Sequence, residues 1–299
     1  MKTQNCYQKV LSFFCVKSLL FLFIISSAGN KAECQKPEVK SSVFKGGLYE
    51  NSFSTSRVGV AQSVMTTPGG EFHVVIQHRF GDIQSGAYEF FGLDAAYTRF
   101  GFDYGISDWL SAGIGRSLYE KTYDLELKAV ILKQNESNIP LSLSYYIAVL
   151  DNTLRNYFPA GHSSFGSRLS FDNQLIVARN QGFLSLQASP MWLHTDFEVR
   201  TGGAMDIFAI DLDTRIRLGE KIALIGEYIP ILTNESFIKT NPLTMGLDLM
   251  IGGHQFQLIF SNSQGTNETA ILANTVGSWS HGHIYFGFNL TRVFHPKTN

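Results

Sequence analysis

The 299 residues carry 24 Lys and Arg against 25 Asp and Glu, a formal net charge of −1, which excludes the strongly basic surface of a nucleic-acid binder. Charged residues make up 16%, well below the roughly 25% of soluble domains. With 24 Phe, 27 Gly and a mean hydropathy of 0.00, the chain is too polar for a bundle of membrane helices. It suits strands that show one face to lipid and the other to an interior.

In chain order, the first element is a targeting segment. Lys2, Lys9 and Lys17 precede Ser18-Leu19-Leu20-Phe21-Leu22-Phe23-Ile24-Ile25, and Ser26 and Ala28 supply the small residues of a cleavage site. Residues 1–28 therefore read as a secretory signal peptide; the apolar core is about half the ~20 residues a spanning helix needs. Cys6 and Cys15 lie within it, which leaves Cys34 without a disulfide partner in the chain. Residues 29–69 alternate poorly and are rich in Ser, Gly, Lys and Thr. They read as an N-terminal extension: a tail, an interior plug or one extra strand.

Residues 70–295 are a series of alternating runs. Phe72, Val74 and Ile76 alternate with His73, Val75 and Gln77; Phe100, Phe102 and Tyr104 with Arg99, Gly101 and Asp103; Leu110, Ala112 and Ile114 with Ser111, Gly113 and Gly115; Leu125 and Leu127 with Asp124, Glu126 and Lys128. The pattern continues through Leu141–Ile147, Leu169–Val177, Leu184–Gln187, Ile210–Leu218, Leu243–Leu249 and Gln255–Ser261, with a more uniformly apolar run from Ile222 to Leu232. In the last run Ile284, Phe286, Phe288 and Leu290 oppose His283, Tyr285, Gly287, Asn289 and Thr291. Period-two alternation is a strand signal. Large apolar residues on one face and small or polar ones on the other point to a closed, antiparallel, all-β transmembrane barrel of about 12 strands.

Short turns are expected at 106–108, 180–182, 219–221 and 252–253, and long connections at 81–97, 151–165, 195–204, 233–241 and 263–277. Their alternation places both chain ends in the periplasm. Pro190 and Pro230 fall inside strand-like runs and are expected at strand ends or bulges. Trp109, Trp192 and Trp279 are expected near strand ends, in an interfacial girdle. Residues 296–299 form a short C-terminal tail. A soluble lipocalin-like barrel or β-sandwich is the structural alternative; the many full apolar faces and few charges weigh against it.

The runs His78-Arg79-Phe80-Gly81-Asp82, Phe100-Gly101-Phe102-Asp103-Tyr104-Gly105-Ile106-Ser107-Asp108-Trp109 and Ile284-Tyr285-Phe286-Gly287-Phe288-Asn289-Leu290-Thr291-Arg292-Val293-Phe294 resemble an uncharacterised family of bacterial outer-membrane β-barrels, catalogued as a domain of unknown function. The resemblance covers about 71–294. It implies a barrel in the outer membrane of a gram-negative bacterium and supplies no catalytic residues.

The alternation places Arg99, Asp103, Glu126, Lys128, Arg168, Asp172, Asp211, Asp213, Arg215, Arg217, Glu227 and Asp248 on the inward face. In a wide barrel such groups line a water-filled path; in a narrow one they form a packed ion-pair network. The balanced signs favour the network over a strongly selective ion pore. His162-Ser163-Ser164 would allow a lipid-hydrolase reading with His as general base, but no third partner is identifiable. His281 and His283 share a strand face, but no carboxylate or Cys nearby completes a metal-ligand set.

No catalytic residue, metal or cofactor is expected. The expected partners are membrane lipids, the barrel-assembly machinery and a small-molecule cargo of unknown identity, with no nucleic acid. The reading is a passive channel or small-solute transporter, or a structural barrel; the alternatives are a loop-mediated binding protein and a lipid-modifying enzyme.

Overall fold

A computed structural model of the chain describes residues 47–251 and 254–295. The expected signal peptide, Cys34, the turn expected at 252–253 and the tail expected at 296–299 lie outside them.

Twelve strands close on themselves: β3 (Phe72–Asp82), β4 (Ala96–Ser107), β5 (Leu110–Ser117), β6 (Thr122–Leu132), β7 (Ser142–Asn152), β8 (Leu169–Asn180), β9 (Leu184–Glu198), β10 (Gly203–Arg217), β11 (Ile222–Tyr228), β12 (Leu243–Ile251), β13 (His254–Ser261) and β14 (Tyr285–Phe294). Each pairs antiparallel with its neighbours, and β14 returns to β3 with Asn289 opposite Gln77 and Leu290 opposite Ile76. Closure leaves no unpaired edge, which lipid would not tolerate.

Side chains alternate as the sequence pattern requires. Phe100, Phe102, Ile114, Leu125, Leu127, Phe208, Met245 and Phe260 project outward and are exposed, an apolar surface too extensive to leave in water. At the closing seam Phe80 stacks on Phe286 at 5.6 Å and His78 on Phe288 at 5.1 Å, and across the neighbouring pair Phe256 of β13 stacks on Phe288 at 5.7 Å. The outward face of the last strand thus also fastens the barrel shut.

The interior is filled from two ends. The hairpin β1 (Arg57–Val58) and β2 (Ala61–Gln62) forms its own two-stranded sheet, turning at Gly59, whose φ of 55 suits the tight turn. It enters from the end carrying the connections 108–109, 133–141, 181–183 and 218–221. From the opposite end, within the connection 262–284, the short helix α1 (Glu268–Ala273) folds inward, with Asn267 capping the N–H of Ala270 at 2.9 Å. Val58 and Val64 pack with Tyr146, Leu150, Ile176 and Ile225. Val60 and Ala61 pack with Ile271, Leu272, Leu193, Ile207 and Ile229.

Several expectations need correction. The long connection expected at 195–204 is the four-residue turn 199–202, because β9 and β10 continue to Glu198 and from Gly203. Trp192 therefore lies inside β9, opposite Phe208, not near its end. Pro190 also lies inside β9, in continuous register opposite Ile210. On its other side the ladder to β8 breaks between Gln174–Met191 and Val177–Ala188 and resumes in the same register. The missing N–H is absorbed by that gap, without a bulge. Pro230 follows the end of β11, and its carbonyl accepts from Ile210 at 3.1 Å. His281 and His283 precede β14 and share no strand face.

Candidate functional site

The inward charges are a network that grips the hairpin. Arg99 binds Asp124 through two nitrogens and reaches Glu126 Oε1 at 2.7 Å. The space for its guanidinium exists because Gly115 has no side chain; a Cβ there would overlap Arg99 and Asp124. Arg57, from the hairpin, donates to Glu126 at 2.5 and 2.7 Å. Lys128 Nζ donates to the carbonyls of Ser56, Ser63 and Met65 at 2.7, 3.0 and 3.2 Å. Three carbonyls around one ammonium fix the segment on either side of the hairpin.

On the other wall Arg215 donates to Asp248 at 3.1 Å and to Ser54 Oγ at 2.9 Å, while Ser54 donates to Asp248 at 2.5 Å. Ser56 donates to Asp103 at 3.1 Å and Thr55 to Gln255 at 2.6 Å. At the tip, the Val60 and Ala61 N–H groups donate to Glu227 Oε2 at 3.0 and 3.1 Å. Gly59 O accepts from Asn289 at 2.6 Å and Arg79 at 3.4 Å. The helix meets the hairpin where Glu268 Oε1 accepts from Gln62 at 3.4 Å and Tyr146 at 3.1 Å.

Ten of the twelve sequence-assigned residues are buried inside: Arg99, Asp103, Glu126, Lys128, Asp172, Asp211, Asp213, Arg215, Glu227 and Asp248. Arg217 stands at the short-turn mouth and donates to Asn51 O at 2.5 Å. Arg168 is not on the β8 wall. It lies in the turn Gly166–Arg168 at the long-loop rim, paired with Asp151 at 3.3 Å.

The interior leaves little room. The space between Ser56, Gln62, Asp103, Glu126, Lys128 and Tyr146 is about 10 Å³, at the threshold for a single water (~10–15 Å³). A larger space of about 180 Å³ lies at the short-turn mouth, between Glu50, Asn51, Ser54, Arg215, Arg217 and Glu220. Backbone hydrogen bonds join the segment before β3 to the wall only where Gly70 and Glu71 meet Gly105, among the described residues. The Gly105 position must be bare, since a Cβ there would overlap the Pro68 carbonyl.

At the long-loop rim Glu120 accepts from Asn152 at 2.9 Å. Burial pushes its carboxyl above the usual value of 4.5; Arg200 opposes the shift and Glu198 adds to it. The His and Ser of the hydrolase reading do not meet: Ser164 bonds Ser167 at 2.9 Å, and the His162 ring stacks on Phe197 at 4.0 Å.

The candidate residues named from the sequence omit Ser54, Arg57, Gln62, Arg79, Asp124, Asn289 and Glu268. Asp124 and Asn289 already stood on the polar face of their runs, and Arg79 could have been found by carrying the inward register along β3. The hairpin residues and Glu268 have no periodicity to reveal them.

Fold and interior together define a membrane-spanning β-barrel stoppered by its own chain. The chain belongs to the family described as a membrane bound beta barrel domain (DUF5777), which matches residues 53–294 and so takes in the hairpin. None of the curated proteins compared with the chain matches it. Among solved structures it is similar to the NanC porin (8% identity, 76% of this chain and 100% of that chain, TM-score 0.48). It is also similar to the KdgM porin (9%, 75% and 99%, 0.42) and to the Acinetobacter baumannii outer membrane protein Omp33 (11%, 76% and 100%, 0.41).

Proposed function

We propose that the protein is an outer-membrane channel for small polar solutes or ions, closed at rest by residues 47–67 and opened by their withdrawal. Following the rule for outer-membrane barrels, the short-turn end faces the periplasm and the long-loop end faces outward. The carrying observation is that the hairpin is a separate sheet, while the twelve-strand ladder closes without it. Side-chain bonds and packing hold the hairpin, so it can leave without breaking the wall. Arg99, Asp124, Glu126, Lys128, Arg215 and Asp248 would then line the path and set its selectivity.

Single-channel recording in a planar bilayer tests this, comparing the full chain with a variant lacking residues 47–67. The expected result is rare, brief steps from the full chain and sustained conductance from the variant. A variant shown to be folded by heat-dependent gel mobility, yet silent, would overturn the channel reading in favour of a structural barrel.

A further inference from the structure

The antiparallel register brings three carboxylates together at the hairpin tip. Asp211 and Asp213 stand two residues apart on the inward face of β10, and Glu227 on β11 lies directly opposite Asp213. One oxygen from each lies within 4.8 Å of the others, and all three residues are buried. Like charges directly opposite one another destabilise an antiparallel pair, so this arrangement needs a compensating charge.

The hydrogen bonds in place do not supply it. Glu227 Oε2 is taken by the hairpin N–H groups and Asp213 Oδ2 by Gln187 at 2.5 Å. Glu227 Oε1, Asp213 Oδ1 and both oxygens of Asp211 have no hydrogen-bond partner among the described residues. Asp211 is the separate observation that points to a ligand: it is wholly buried, has no donor on either oxygen, and turns one of them into the cluster. Buried carboxylates are normally paired, hydrogen-bonded or bound to a metal. The positive charge acting on Glu227 is that of Arg79, whose donors go to Asn289, Gly59 and the carbonyls of His78 and Phe288. Ionised together, the three carboxylates would set three negative charges against one positive.

We propose that Asp211, Asp213 and Glu227 bind one divalent cation of the Ca²⁺ class in the barrel wall. A donor set of oxygens alone selects a hard cation. The three oxygens lie within 4.8 Å of one another, close enough to share one ion, and a buried site that strips the hydration shell favours Ca²⁺ over Mg²⁺, which gives up its waters reluctantly. Neutralising the cluster leaves Glu227 Oε2 free to hold Val60 and Ala61. The site does not depend on the channel reading, and its test does not use conductance.

The full chain is refolded from denaturant into lipopolysaccharide-free detergent micelles, stripped with EDTA and dialysed against Ca²⁺. Bound metal is measured by elemental analysis and the unfolding midpoint is followed against Ca²⁺ concentration. The expected result is one Ca²⁺ per folded chain and a midpoint that climbs with Ca²⁺. Asp211→Asn should reduce bound Ca²⁺ to background and abolish the climb. Two outcomes would overturn the site: no Ca²⁺ above background in folded wild-type protein, or an Asp211→Asn variant that still binds one equivalent. Binding is read on the wild type, so a variant that fails to fold leaves the decision intact. In the first case, a shared proton between Asp211 and Asp213 replaces the cation as the compensating charge.

Discussion

Arg57 and Arg99 meet on the same carboxylate oxygen: Glu126 Oε1 accepts from the hairpin arginine at 2.5 Å and from the wall arginine at 2.7 Å. Glu126 is therefore the keystone between stopper and wall. Arg57→Met keeps the bulk and removes the bidentate pair. It should weaken seating of the hairpin by about 3 kcal/mol, the scale for breaking a buried ion pair. The barrel ladder should stay intact. Open probability in a planar bilayer should rise by roughly a hundredfold, since 1.4 kcal/mol is about tenfold, with unchanged heat-dependent gel mobility.

Gly105→Ala tests the entry point. A Cβ there collides with the Pro68 carbonyl, where the chain turns from hairpin to β3. The clash involves backbone, so residues 67–70 must move. The expected outcome is faster protease cleavage between 47 and 70 in the folded protein, with full protection of the strands. Cleavage no faster than wild type would show that the entry is not tightly seated.

Ile271→Asp should expel α1 from the interior. Ile271 is buried against Val60, Leu193 and Ile207, and an unpaired charge there is not tolerated. Limited proteolysis should then cut within 262–284 from the long-loop side. Bilayer current should remain low, because the hairpin segment keeps its own bonds to Glu126, Lys128 and Asp248, whereas α1 loses Val60 and Ala61 when the hairpin is removed.

Glu120→Gln predicts a specific pH dependence. Burial raises the Glu120 pKa above 4.5 in the folded protein, so the folded state holds its proton at pH values where the unfolded state has lost it. Stability contributed by this group falls as pH climbs from the unfolded to the folded pKa. The neutral Gln should raise the unfolding midpoint near pH 7, still accepting from Asn152, and give no gain near pH 3.5. An equal gain at both pH values would assign the effect to packing.

The wall was legible because one face of each strand meets lipid and the other a crowded interior. Phe286 and Phe288 outward with Gly287 and Asn289 inward is the clearest case. Legibility failed where that asymmetry fails. Beyond Trp192 the β9–β10 hairpin runs on through Asp196, Glu198 and Arg200, a stretch polar enough to read as a loop. The hairpin at 57–62 is enclosed by protein on every side, so Ser54, Arg57 and Gln62 have no lipid face to set a rhythm. Ten of the twelve charges named from alternation lie inside, but their grouping needed register. Only strand pairing places Glu227 opposite Asp213, and only the inserted hairpin brings Arg57 to Glu126. Arg168 was misassigned because β8 begins one residue later, at Leu169.

The contact of Gln62 with Glu268 joins an element inserted from one side of the membrane to an element inserted from the other. The two inserted elements therefore support each other. Whatever binds the long-loop end and draws α1 outward must alter how firmly the hairpin sits, and a pull on the hairpin must alter what the outer loops bind. Thermodynamic linkage makes the two effects equal in size. In the proposed channel, each mouth would thus feel what occupies the other.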